Sequence, residues 1–214
     1  MKRLGFLMIG LIFLLSACTT SEAGDATETF TYVEYALPLD EKVKLGDGAD
    51  EIVFVFDYSC PWCKKWMESV LPEIEARWIE TGKVSFKGQA LALLNERSQR
   101  LASVDANAER LMPDRYYALQ RQIGMDSGTD DFGTEAYVHR LAALFDVDAE
   151  LLLAPQIDES IQNARLYTRD LGVEYVPTVY VNGIKLLDAF SLDEMERVLN
   201  KDIQAGDVVD VPAE

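Results

Sequence analysis

Apolar and polar positions change rhythm several times along the chain, and each change marks an element. Ile52 to Phe56 is a continuous apolar run, as expected for a strand covered on both faces, and the turn signal Asp47-Gly48 precedes it. After it, Trp62, Trp66, Val70, Ile74 and Trp78 recur every four residues, which predicts a helical stripe packed on a core. Pro72 should kink or restart that helix near Leu71, and Gly82 should end it. Lys83 to Lys87 alternates over a short span and reads as a second strand. From Leu91 to Gly172 the rhythm is helical, broken at Pro113, at residues 124–133 and at Pro155, so four or five helices fit there. Val176 to Val181 is again apolar and β-branched, Asn182-Gly183 is a hairpin turn, and Ile184 to Leu187 should pair back antiparallel. Ser191 and Glu194 have the spacing of a capping box, opening a last helix to about Ile203. A weaker alternation of Thr31, Val33 and Tyr35 predicts an edge strand near the start.

Composition adds most at the two ends. Lys2-Arg3, an uncharged run from Leu4 to Leu15 and then Ser16-Ala17-Cys18 have the charged, apolar and small-residue parts of an export signal over residues 1–17. The apolar run is too short to span a bilayer as a helix. Leu15-Ser16-Ala17-Cys18 also resembles the lipobox of bacterial lipoproteins, which implies cleavage before Cys18 and its lipidation. The alternative is an ordinary cleaved signal with a chance cysteine. Residues 18–29 are polar and read as a flexible tether, residues 30–204 as one domain, and residues 205–214 as a loose acidic tail. Without Lys2 and Arg3 the 20 basic residues become 18 against 37 acidic ones, a net charge of −19. That sign disfavours nucleic acid as a partner, and the acids read as a solvated surface.

The candidate chemistry sits at the end of the first apolar strand, where Cys60-Pro61-Trp62-Cys63 opens the helix. A thiol at a helix start faces unsatisfied amides and the positive end of the dipole, both of which favour thiolate. Pro61 suits the first helical turn, and Cys63, three residues on, lies on the same face, so the two sulfurs can bond. A structural zinc site usually needs four ligands, and with Cys18 lipidated only Cys60, Cys63 and His139 are soft or imidazole ligands. His139 itself reads as a solvated or packed helix residue. No cofactor and no metal is expected, although two thiolates suffice for a soft cation such as Cu(I). Met67 is the only further soft donor near the pair, and it fits the helix core better. An X-Pro bond at Val176-Pro177, ahead of a strand, suggests a cis proline that exposes the backbone of Val176 to an extended chain.

From about Gly46 to Leu199 the chain resembles the DsbA-like thiol-disulfide oxidoreductases. The matching pieces are Phe56 to Cys63, Val70-Leu71-Pro72, Ile79 to Val84, and Leu171 to Gly183, in family order. The resemblance implies an α/β thioredoxin fold with a helical insertion, at about residues 91–172, between the second strand and the proline strand. It implies Cys60 as exposed nucleophile, Cys63 as resolving cysteine and Pro177 as the cis proline beside them. Two positions depart from the pattern: Phe54 stands where the family often carries a buried glutamate, and Trp62 where the best-known oxidases have histidine. Asp57 is a candidate replacement acid, though its strand position points it elsewhere. Losing the imidazolium should leave the Cys60 thiolate less stabilised, and Trp62 reads as a docking surface for apolar segments or as packing on its own helix. The activity expected is disulfide exchange with reduced or unfolded exported proteins, with Trp62, Val176 and Pro177 at the substrate. It would run outside the cytoplasm from a lipid-anchored position on a bacterial membrane, with a membrane partner to reoxidise the pair. Oxidation of substrates is the favoured direction; a reductase fed by a membrane partner and a Cu(I)-binding or delivery protein are the alternatives.

Overall fold

The computed structural model describes residues 27–155 and 168–212; the signal segment, Cys18 and most of the tether lie outside them. Strand β1 is Thr27–Thr31 and β2 is Asp50–Phe56, the continuous apolar run. Helix α1 spans Pro61–Ser69 and α2 Leu71–Ile74, followed by a π-helical turn over Glu75–Ile79. The break at Val70 has the expected cause: Pro72 has no amide for the carbonyl four residues back, so the helix restarts. Gly82 ends it at φ 72°. Strand β3, Val84–Ala90, runs three residues past the expected Lys87. The helical region then comprises α3 (Glu96–Leu111), a 3₁₀ turn (Pro113–Arg115), α4 (Tyr116–Asp126), α5 (Glu135–Phe145) and α6 (Ala149–Leu153), and residues 168–170 are helical again. Strands β4 (Thr178–Val181) and β5 (Ile184–Lys185) and helix α7 (Leu192–Leu199) close the chain, before β6 at Val208–Pro212.

Among the described residues β3, β2, β4 and β5 lie side by side in that order, β2 parallel to β3 and antiparallel to β4. Asn182 and Gly183 both have positive φ, 50° and 80°, the conformation of a tight hairpin between β4 and β5. Both faces of β2 are buried. Ile52, Phe54 and Phe56 face α1 and the helical region in the main core, whereas Val53 and Val55 meet Leu39, Leu91 and Tyr180.

Further details differ from the expectations. The segment expected as a strand at Thr31 to Tyr35 is strand only up to Thr31. Its second half runs extended beside β5, with Lys185 N donating to Val33 O and Tyr35 N to Gly183 O. The expected tether and acidic tail are partly structured: Thr27 to Thr31 pair antiparallel with Pro212 to Val208, and Phe30 and Val209 pack on the main core. The pairing unites segments about as far apart in the chain as it allows, which no local pattern can announce. The capping box is half made. Ser191 accepts from Glu194 N, but the Glu194 carboxylate turns to the amides of Leu187 and Asp188 instead. Finally, α7 stops at Leu199 rather than Ile203, which is buried beyond it.

Candidate active site

Strand β2 delivers Cys60 to the start of α1, where it is the N-cap in an extended conformation with Pro61 behind it. The amide of Cys60 donates to Asp57 O at 3.0 Å and its carbonyl accepts from Lys64 N at 3.1 Å. Both cysteines are thiols and both are buried, Cys60 7% and Cys63 1% exposed, so Cys60 is not the exposed nucleophile that the resemblance implies. The two are driven in opposite directions. A hydrogen bond from the Cys63 side chain is the largest influence on Cys60 and, against the cost of burial, brings its thiol down to about 6; the amides of Cys63 and Trp62 add to this, and the Asp57 charge opposes it. Burial, with the proton committed to Cys60, pushes the Cys63 thiol well above its usual range. At neutral pH the arrangement is therefore a Cys60 thiolate beside a protonated Cys63.

The Val176–Pro177 peptide is cis, and the Val176 carbonyl lies 3.5 Å from Cys60 Sγ, close enough to accept from the thiol. Val176, at the cis bond, and Cys60 thus meet across 116 residues of chain. Their loop is pinned on the far side by Thr178 Oγ1 donating to Tyr175 O at 2.6 Å and by Lys185 Nζ donating to Gly172 O at 2.8 Å. Beside the sulfur runs an open groove of about 280 Å³, walled by Trp62, Tyr175, Val176, Pro177 and the turn from Leu187 to Phe190. Trp62 is 59% exposed, so packing into its own helix is not its main role. Its ring meets Phe190 edge-on at 6.2 Å, and the Lys65 ammonium stands 4.9 Å over it. Phe190 and Tyr175 escape sequence reading as site residues: Phe190 belongs to no motif, Tyr175 lies in the matching stretch Leu171 to Gly183 without a role read for it, and only the fold brings both to the groove.

Asp57 is fully buried, and its carboxylate is held by donors other than the sulfurs. Its Oδ1 accepts from Ser59 N (2.7 Å) and Ser98 Oγ (2.7 Å), and its Oδ2 accepts from Leu93 N (2.9 Å) and Leu94 N (3.2 Å). With four donors around it the carboxylate has no vacant acceptor for a proton from Cys63, which does not fit a replacement proton carrier. The other buried acid nearby, Asp105, accepts from Tyr58 at 2.6 Å and Tyr116 at 2.8 Å; burial raises its pKa. Gln120 joins that network through space left by Gly88, where a Cβ would come within 2.6 Å of its amide nitrogen. Met67 packs away from the pair, its sulfur against Gly124, and His139 is exposed on α5. Among the described residues no group of three or more His, Cys, Asp or Glu is placed to hold a metal ion.

The fold has counterparts among known proteins. The family described as Thioredoxin matches residues 46–201. The probable disulfide bond formation protein D of Bacillus cereus is 24% identical over 181 residues, 79% of this chain and 82% of that one, and its Bacillus anthracis counterpart is 23% identical over 183 residues. Among solved structures, oxidised BdbD from Bacillus subtilis superposes with a TM-score of 0.72 at 19% identity, covering 81% of this chain and 98% of its own. DsbA from Chlamydia trachomatis gives 0.62 at 18%, covering 76% and 91%.

Proposed function

Starting from a chain that belongs to the thioredoxin family, we propose that it is a protein dithiol-disulfide oxidoreductase that puts disulfides into exported proteins. The observation that carries this reading is the opposed acidity of Cys60 and Cys63 at a helix start, with the Val176 carbonyl and an apolar groove beside the more acidic sulfur. A substrate thiolate attacks Cys60 Sγ of the Cys60–Cys63 disulfide. The S–S bond breaks, the electron pair leaves on Cys63 Sγ, and Cys63 takes up a proton. A second substrate thiolate then attacks the substrate sulfur of the mixed disulfide and expels Cys60 as a thiolate, an easy leaving group. The substrate is oxidised by two electrons and the enzyme holds them as a dithiol, which a membrane redox partner must reoxidise. The extended substrate lies against the Val176 backbone beside Pro177, with Trp62 receiving its apolar side chains.

Stabilising the Cys60 thiolate stabilises the dithiol, which supports oxidation of substrates over their reduction. The reduction potential tests the direction. A value nearer −120 mV, about that of the strongest exported oxidase, is expected, and one near −270 mV, about that of thioredoxin, would reverse the assignment. Disulfides persist in oxidising compartments outside the cytosol, which together with the signal-like start supports an extracytoplasmic site. No helix among the described residues is long and apolar enough to cross a membrane, and a diacyl anchor on Cys18 would hold the chain at the outer face of the cell membrane or on the periplasmic side. Substituting Cys18→Ser should then move the protein from the membrane to the soluble fraction with its exchange rate unchanged; continued membrane attachment would eliminate the anchor.

A further inference from the structure

The three residues ahead of Cys60 are all fastened to the helical insertion, and to one helix of it. Asp57 accepts from the amides of Leu93 and Leu94, in the lead-in to α3, and from Ser98 Oγ within α3. Tyr58 donates to Asp105, seven residues after Ser98 and so on the same side of α3 two turns on. Ser59 Oγ lies 3.2 Å from Asn95 Oδ1 and 3.0 Å from Ser98 Oγ. Asn95 and Ser98 in turn close the capping box at the head of α3, with Ser98 N donating to Asn95 Oδ1 at 3.0 Å and Asn95 N to Ser98 Oγ at 3.3 Å. One hydroxyl therefore serves both the helix cap and the redox turn. We propose that Asp57 and Ser98 are positioning residues that splint the turn ahead of Cys60 against α3, holding the Cys60 sulfur where the amides of Trp62 and Cys63 reach it.

The physical argument rests on what the cluster would do if cut. A fully buried carboxylate is tolerated only while its acceptors are filled, so losing a donor forces either water entry or movement of the strand end that carries it. That strand end is the turn itself, since Asp57 O receives the Cys60 amide and Asp57 Oδ1 the Ser59 amide. The hydrogen bonds that favour the thiolate are short-range and directional, and a small displacement weakens them steeply. Asp57 also carries a charge, which on its own disfavours a neighbouring thiolate. Positioning and charge thus predict opposite outcomes when Asp57 is neutralised.

The inference rests on the reading of Cys60 as the exchanging thiolate, and the test separates the two. The pH dependence of Cys60 alkylation by iodoacetamide is followed in the reduced full chain, for wild type, Ser98→Ala and Asp57→Asn. Ser98→Ala removes one donor and leaves every charge in place. The Cys60 midpoint is expected to rise by at least about one pH unit in both variants, which cuts the thiolate fraction at pH 6 from about a half to about a tenth. A Ser98→Ala protein that melts earlier but keeps the wild-type midpoint would make the cluster purely structural and overturn the proposal. So would a fall in the midpoint of Asp57→Asn, the signature of charge alone. If Asp57→Asn does not fold, Ser98→Ala decides by itself. A wild-type midpoint at the free-thiol value of about 8.5 would instead overturn the functional reading of Cys60, and the positioning proposal with it.

Discussion

Replacing Cys60 by serine is expected to reduce disulfide exchange with a protein substrate to the uncatalysed background, the largest effect available to one substitution in this chain. The reason is that exchange proceeds through a mixed disulfide on the sulfur attacked, and an alkoxide at this position neither forms near neutral pH nor replaces the leaving thiolate. Cys63→Ser should behave differently. It keeps Cys60 and a hydroxyl able to donate to its sulfur, so Cys60 remains reactive, but no internal thiol can resolve the intermediate. Incubation with a disulfide-bonded substrate should then trap a covalent adduct on Cys60, visible on a non-reducing gel and lost on reduction. An adduct on Cys63 in the reciprocal Cys60→Ser variant, formed at a similar rate, would reverse the assignment of nucleophile. Burial speaks against that outcome, because Cys63 is 1% exposed and its thiol is held protonated.

The second large effect is expected at Trp66. Its indole is fully buried, stacks on Phe54 at 3.8 Å and on Phe86 at 6.2 Å, and donates from Nε1 to Ala189 O at 2.7 Å. Truncation to alanine removes the plate between α1 and the sheet and should cost about 3–5 kcal/mol, as for other large aromatic side chains in cores. Denaturant unfolding would measure it, and a loss below about 1 kcal/mol would mean the stack is not a keystone of the core. The same side chain links stability to function, since Ala189 precedes Phe190, the residue that faces Trp62 across the groove. Trp66→Phe keeps an aromatic ring and deletes only the N–H. It should cost about 1 kcal/mol and slow exchange with a protein substrate more than exchange with oxidised glutathione.

Local pattern made much of this protein legible from the chain alone. The apolar run of β2 records a strand with two covered faces, and the four-residue repeat through Trp66 and Ile74 records a helix with one. Pro72, Gly82 and Asn182-Gly183 mark their breaks and turns because each restricts or frees the backbone whatever surrounds it. Cys-Pro-Trp-Cys at the strand-to-helix junction likewise states its chemistry locally, through the amides of the first helical turn. A periodicity reports which side of an element is covered, however, and not what covers it.

Everything that depended on that second question was decided by the tertiary structure. Thr27 to Thr29 and Val208 to Pro212 read separately as tether and tail, and become part of a ribbon only because the fold brings the two segments together. Asp57 is one acid among 37 in the chain, and nothing next to it announces that Leu93, Leu94 and Ser98 will fill its acceptors. Phe190 carries no motif, and nothing in the stretch around Tyr175 marks that ring, yet both wall the groove beside Cys60. Backbone preference and side-chain rhythm act over a few residues and leave a mark in the sequence. A hydrogen bond or a ring contact between distant segments leaves none, because almost any polar or aromatic residue could have been its partner until the chain was folded.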